Sequence, residues 1–141
     1  MSKIDYGECE MMTRRDILYA TSWDEFDMGV CKLFVPFFDQ YIPFLFFQEH
    51  DRKPQITDKM IMALNSIMEL DEKEQELYFK EFGKNRAIKV NEIHIDQEHD
   101  KLDGVYCEII INMPSKEYMS LIVKDGKIIH LDRDGSYFES L

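Results

Sequence analysis

The sequence predicts an α+β domain, because three stretches with different hydrophobic periodicity follow one another along the chain. Residues 30–50 are rich in Val, Phe and Leu, which favour strands. Residues 56–85 carry apolar side chains at helical intervals. In residues 87–131, β-branched and apolar segments alternate with turn residues. An N-terminal β-hairpin, two consecutive helices and a C-terminal four-stranded antiparallel meander are therefore predicted, in that order.

The hairpin is predicted to have strands at residues 30–38 and 42–50, joined by a turn at residues 39–41. Pro43 cannot donate a ladder hydrogen bond, so we expect it at the start of its strand or at a sheet edge. Residues 13–20, which precede the hairpin, fit either a short helix or a strand.

Helix-capping residues mark both predicted helices. Thr57 is a suitable N-cap for the first helix, and the isoleucines around it have the spacing of a hydrophobic staple. Asp71, with Glu74 three positions later, is an aspartate variant of the capping box and predicts the start of the second helix. Gly83 is a natural residue just beyond its end.

The meander is predicted over residues Ala87 to Leu131, and turn residues separate its strands. Pro114 marks the turn between the second and third strands. Asp125–Gly126 lies between two apolar runs and predicts a two-residue type I′ hairpin, which needs positive φ at both positions. Asp134–Gly135 is a predicted strand terminator.

Length and charge restrict the function classes. A chain of 141 residues has the size of one domain, and we predict a single α+β domain over residues 1–141. Its 28 acidic and 17 basic side chains give a formal net charge of −11. This charge disfavours nucleic acid and anionic lipid as partners. It permits a basic protein partner, although a charge that serves solubility is the simpler explanation.

The cysteines and the apolar segments indicate a cytoplasmic protein without a membrane span. Cys9, Cys31 and Cys107 lie far apart and form no CxxC pair, which fits a reducing compartment. The N-terminus lacks the apolar core of a signal peptide. The longest apolar stretch, residues 33–47, is interrupted by Asp39 and two prolines and is too short to cross a bilayer.

The loop His94–Asp103 gathers residue types that bind metals. An EF-hand is excluded, because Lys101 stands where glycine is required and Cys107 stands where a bidentate glutamate is required. A solvated polar face leading into a hairpin loop explains the cluster more simply. We therefore predict no metal ligand and no cofactor.

Two other groupings admit a chemical and a structural interpretation. Asp132, Asp134 and Ser136 alternate as in a calcium loop, but a turn is the favoured explanation. Cys107 and His94 lie on neighbouring predicted strands and could form an activated thiolate pair. A buried cysteine is the simpler interpretation, and no catalytic residue is predicted.

The order of segments provides a resemblance. It rests on the strand pair "CKLFVPFFDQYIPFLFF", the helix start "PQITDKMIMALNSI" and the tail "LDRDGSYF" with its acids and aromatics. Over residues 25–139 the chain resembles a widespread bacterial family of uncharacterised α+β proteins related to the immunity proteins of polymorphic toxin systems. The resemblance implies binding, with neutralisation of a toxin domain, and carries over no catalytic residue.

The sequence thus predicts a cytoplasmic, non-enzymatic binding protein whose partner is a basic toxin domain, with the oligomeric state left open. One alternative is a metal-dependent enzyme or regulator that uses the loop His94–Asp103, and another is a structural or oligomerisation module. The candidate partner-binding residues are the acids Glu98, Asp100, Asp103, Asp132 and Asp134.

Overall fold

The computed structural model describes residues 11–26, 28–47, 56–83 and 88–141, and within these residues seven strands form one mixed sheet. The strands are β1 (Thr21–Trp23), β2 (Gly29–Val35), β3 (Gln40–Phe47), β4 (Val90–Asp96), β5 (Tyr106–Ile111), β6 (Ser120–Lys124) and β7 (Lys127–Asp132). The helices are α1 (Arg14–Ala20), α2 (Asp58–Met68) and α3 (Glu76–Phe82), with 3₁₀ turns at Glu72–Glu74, Gln97–Lys101 and Tyr137–Ser140. The predicted α+β class is confirmed.

The strands stand side by side in chain order, and their pairing joins the two predicted β units into one sheet. Neighbouring strands are antiparallel except β3 and β4, which run parallel. A parallel pair needs a long crossover, and the segment with α2 and α3 provides it. The sequence prediction missed this pairing and also missed the short edge strand β1.

The hairpin turn begins earlier than predicted. β2 ends at Val35 and the chain turns at residues 36–39, where Asp39 has φ of 54°. Phe37 and Phe38 were predicted to extend the strand, but they leave it and pack their rings against Tyr78, with centroids 5.2 and 6.0 Å away. Burial of these two rings explains the early turn. Of the predicted second strand, residues 48–50 lie outside the described residues.

Pro43 lies inside β3 rather than at its start, as the fourth residue of the strand. It pairs with Lys32 of β2, and pairing with β4 begins one residue later, at Phe44. Earlier in the strand, the Gln40 side chain connects to the chain entering β4. Its Nε2 donates to the carbonyl oxygen of Ile88 at 2.6 Å, and its Oε1 accepts from the Val90 amide at 3.1 Å. Strand β3 lies between β2 and β4, so Pro43 is not at a sheet edge either, which corrects the expectation.

Helix α2 begins as the sequence predicts. Thr57 is its N-cap, and the threonine hydroxyl accepts from the Met60 amide at 3.2 Å. The buried face of the helix carries Met60, Leu64 and Ile67, which pack into the core against the sheet. The buried Asn65 fixes the chain before α1, because its amide group donates to the Met12 carbonyl and accepts from the Met12 amide.

The second predicted helix is divided in two, which corrects the prediction of one helix starting at Asp71. A 3₁₀ turn, Glu72–Glu74, precedes α3, and Gln75 separates them with φ −106° and ψ 54°. The Gln75 side chain is fully buried and bonds to the backbone of the β6–β7 hairpin. Helix α3 then runs to Phe82, and Gly83 follows with φ 62°.

Residues 13–20, which the sequence left undecided, contain helix α1. Thr13 and Asp16 form a reciprocal capping box at its start. Arg14 ties the helix to α2, because its guanidinium contacts the Asp58 carboxylate and the Ile56 carbonyl.

The meander is present as β4 to β7, with shifted bounds. Ala87 lies outside the described residues, the first strand begins at Val90, and the last strand ends at Asp132 rather than Leu131. Asp125 and Gly126 form the β6–β7 turn with φ values of 50° and 79°, as a type I′ turn requires.

Candidate partner-binding surface

Strand alternation divides the sheet into a core face and a second face that remains partly exposed. Cys107 of β5 points to the core face, where its sulfur lies 3.9 Å from the Ala63 carbonyl oxygen of α2. Its neighbour Glu108 therefore points to the other side. The residues with this second orientation at the centre of the sheet, here called the open face, are Leu45, Phe47, Glu92, His94, Glu108 and Ile110.

The open face combines apolar and acidic side chains, and all six are partly exposed. The register places Leu45, His94 and Glu108 in one row across β3, β4 and β5. The Phe47 ring meets the His94 ring edge-on, with centroids 4.8 Å apart. The His94 imidazole also contacts the Glu92 carboxylate, so these two residues share one face of the sheet.

The two carboxylates of the open face are held in place by neighbouring side chains. Glu108 Oε2 accepts from the Tyr118 hydroxyl at 2.7 Å and from the Ser120 hydroxyl at 2.6 Å. Burial is the main reason that the pKa of Tyr118 rises to about 12, so its hydroxyl stays protonated and can donate. The contact with His94 orients the Glu92 carboxylate.

The C-terminal segment borders this surface on the side of β7. The Phe138 ring stacks on the His99 ring with centroids 3.8 Å apart and meets Tyr106 edge-on at 5.6 Å. Tyr137 lies against His130, with centroids 4.9 Å apart. The last residues therefore pack across the ends of β5 and β7 beside the open face.

Three of the predicted partner-binding acids lie together in the β4–β5 connection. Glu98 and Asp103 are exposed and Asp100 is half-buried. Lys59 of α2 anchors this loop, because its ammonium group donates to the carbonyl oxygens of Asp100 at 3.1 Å and Leu102 at 2.6 Å. These acids therefore lie on an anchored loop at one end of the sheet.

Asp132 is not available for a partner, which corrects its assignment to the binding surface. It is 3% exposed, and its carboxylate accepts from the amides of Asp134, Gly135 and Tyr137. These bonds shape the turn after β7, so Asp132 serves as a turn residue rather than as a calcium ligand. Asp134 is exposed, and bonds from Ser136 lower the pKa of its carboxyl. The register places this turn towards the opposite end of the strands from Glu98.

The loop His94–Asp103 does not assemble a metal site. Within the part of the chain that the structure describes, no three His, Cys, Asp or Glu side chains converge as metal ligands. His99 Nδ1 is buried and has no hydrogen-bond partner. Burial lowers the pKa of His99, although the carboxylates of Asp96 and Glu108 act in the opposite direction.

Cys107 and His94 lie on opposite faces of the sheet, which excludes the thiolate pair. His94 stands opposite Glu108 in the register, so it points away from Cys107. Burial raises the pKa of the Cys107 thiol to about 12, so the sulfur is protonated near neutral pH. Cys31 is also buried, and burial raises its pKa as well.

Comparisons with known proteins give no relative. Neither family models, nor curated proteins, nor solved structures match this chain. Among the described residues, no helix has the length and apolar character needed to cross a membrane.

Sequence reasoning did not find the open face, because β3 is apolar on both sides. Phe44 and Phe46 point into the core, whereas Leu45 and Phe47, which alternate with them, lie on the open face. Such a run gives no alternation from which an exposed side can be deduced. The available signal was the placing of Glu92 and His94 at alternate positions of an otherwise apolar strand.

Proposed function

We propose that this chain is a cytoplasmic, non-enzymatic binding protein that neutralises a basic protein domain, as an immunity protein does for a toxin. The observation that carries the proposal is the open face, where partly exposed apolar side chains lie beside two oriented carboxylates. Protein interfaces join an apolar centre to polar groups in this way. The resemblance in segment order points to the same class of function.

The charge of the chain supports a basic partner. With a net charge of −11, it attracts a positively charged domain from a distance and repels other acidic proteins. The exposed acids Glu98, Asp103 and Asp134 extend this field to both ends of the sheet. A nuclease-type toxin has a basic cleft for phosphate, so its surface is complementary to such an acidic protein.

The direct test uses the product of the gene next to the one that encodes this chain. Co-expression is expected to relieve growth arrest caused by that product, and calorimetry is expected to show binding that weakens by about tenfold or more on going from low to high salt. A functional neutraliser requires both results. Unrelieved arrest with no heat of binding contradicts the proposal, and binding that is insensitive to salt contradicts its electrostatic basis.

A further inference from the structure

We infer that the open face is the contact surface, and that it receives arginine side chains set among apolar groups on the basic partner. This inference rests on the proposed function and identifies the chemistry of the partner. It depends on three features: exposed apolar groups, oriented carboxylates, and a net charge that excludes like-charged occupants.

The first feature is the apolar surface in the middle of the sheet. Leu45 and Phe47 of β3 and Ile110 of β5 are partly exposed, and β4 lies between these two strands. Phe34 and Tyr41 continue the apolar surface towards β1, with 38% and 69% of their surface exposed and their rings packed edge-to-face at 5.2 Å. Exposed apolar side chains grouped on one face and bordered by polar groups are typical of a protein interaction site.

The second feature is the pair of carboxylates beside this apolar surface. Glu92 is opposite Ile110, and Glu108 is opposite His94, so the two glutamates are diagonal neighbours across β4 and β5. Diagonal neighbours in a sheet lie about 7–8 Å apart, which is within reach of long side chains. A guanidinium group is planar, carries five donors and pairs with carboxylates through parallel hydrogen bonds.

The fixed orientation of these carboxylates suits the planar guanidinium group of arginine. Tyr118 and Ser120 fix the Glu108 carboxylate, so an incoming guanidinium needs little reorganisation of the surface. Arginine is also enriched at the energetic centres of interfaces, where its planar group packs on aromatic rings. The Phe47 ring is available for that contact beside His94.

The third feature is charge, which disfavours two other occupants of the open face: a second copy of the chain and the chain's own N-terminal residues. A second copy would bring another net charge of −11. The N-terminal residues 1–10 contain one lysine and three acidic residues, so they do not complement Glu92 and Glu108 either. A basic partner matches the surface, whereas an acidic segment does not.

The test is an amide NMR titration of the full chain with a short peptide that alternates arginine and leucine. A peptide that alternates glutamate and leucine is the matched control. We expect shifts in β3, β4 and β5 with the arginine peptide and none with the glutamate peptide. Shifts confined to the loop Glu98–Asp103 overturn the inference and leave the proposed function intact.

Paired variants separate the two acidic surfaces. Glu92→Gln with Glu108→Gln removes two charges from the open face and is expected to weaken peptide binding by about tenfold. Glu98→Gln with Asp103→Asn removes the same charge from the loop and is expected to change affinity by less than about threefold. Equal losses in both variants overturn the inference.

Leu45→Thr provides a second open-face variant that leaves both glutamates and their hydrogen bonds in place. It is expected to weaken binding while retaining the circular dichroism spectrum and melting curve of the original chain. Sedimentation of the unmodified chain tests the second-copy alternative: a dimer that Leu45→Thr dissociates overturns the inference. If the arginine peptide fails to bind while the product of the neighbouring gene binds, only the inference fails. If neither binds, the proposed function fails with it.

Discussion

Gln75 is the buried polar side chain whose removal tests the fold most sharply. It is fully buried, its Oε1 accepts from the Ile128 amide at 2.8 Å, and its Nε2 donates to the Gly126 carbonyl at 3.1 Å. In Gln75→Ala the Ile128 amide loses its partner, and Ile128 is only 1% exposed. An unsatisfied buried donor costs about 1–3 kcal/mol. The lost bond to Gly126 adds about 1 kcal/mol, because this glycine is partly exposed.

The free energy of unfolding is therefore expected to fall by about 2–4 kcal/mol in Gln75→Ala. Urea denaturation measures this quantity, and an unchanged slope with a lower midpoint shows a loss of stability without a change in the surface exposed on unfolding. Glu74→Ala is the matched control, because Glu74 is exposed in the adjacent 3₁₀ turn. It is expected to shift stability by less than about 0.5 kcal/mol. A loss below about 1 kcal/mol in Gln75→Ala refutes the reasoning.

Three further predictions follow from single positions. Gly104→Ala is expected to destabilise the fold more than Gly83→Ala in urea denaturation. The φ of Gly104 is 106°, farther from the left-handed helical region than the 62° of Gly83, and a Cβ at Gly104 would crowd Lys124 and Asp125, whereas the space at Gly83 is open. Cys107 is expected to resist iodoacetamide in the folded chain and to react in urea, as measured by peptide mass spectrometry, because burial keeps the thiol protonated. His99 has a pKa lowered by burial, so between its folded pKa and the ordinary value of about 6.5 the unfolded chain binds more protons. Unfolding free energy is therefore expected to fall as pH drops through this window, and less so in His99→Gln.

A specific result would contradict each of these three predictions. Equal losses in Gly104→Ala and Gly83→Ala would show that the neighbouring lysine moves aside at no cost. Labelling of Cys107 in the folded chain at the rate of a free thiol would contradict its burial. A proton affinity of His99 at or above that of an exposed histidine, read from its NMR titration, would contradict the desolvation argument.

Features set by neighbouring residues could be read from the sequence. Thr57 caps α2 because a threonine before an apolar helical repeat can satisfy an amide three residues later. Asp125–Gly126 forms the predicted turn because both residues tolerate positive φ. In each case the deciding contacts lie within a few positions along the chain.

Features set by distant contacts could not be read in the same way. The second helix divides at Gln75 because the side chain reaches a hairpin about fifty positions away, and no local signal encodes that bond. The β2–β3 turn lies earlier than predicted because Phe37 and Phe38 pack on the Tyr78 ring of α3. Parallel pairing of β3 with β4 likewise depends on the whole crossover between them.

The same distinction between local and distant contacts applies to the residues of the candidate site. The exposed loop acids Glu98 and Asp103 were found from the sequence, because charged residues in a polar loop seldom become buried. Asp132 was misassigned, since its three amide partners are gathered by the fold of its own turn. The open face needed the register of β3, β4 and β5 before its residues could be recognised as neighbours.

The most direct test of the proposed binding surface is the affinity of the neighbouring gene's product for three forms of this chain. These are the unmodified chain, Glu92→Gln with Glu108→Gln on the open face, and Glu98→Gln with Asp103→Asn in the loop, measured by calorimetry at one salt concentration. We expect the open-face variant to lose about tenfold or more in affinity and the loop variant to stay within about threefold of the unmodified chain. Full affinity in the open-face variant together with a large loss in the loop variant would contradict it.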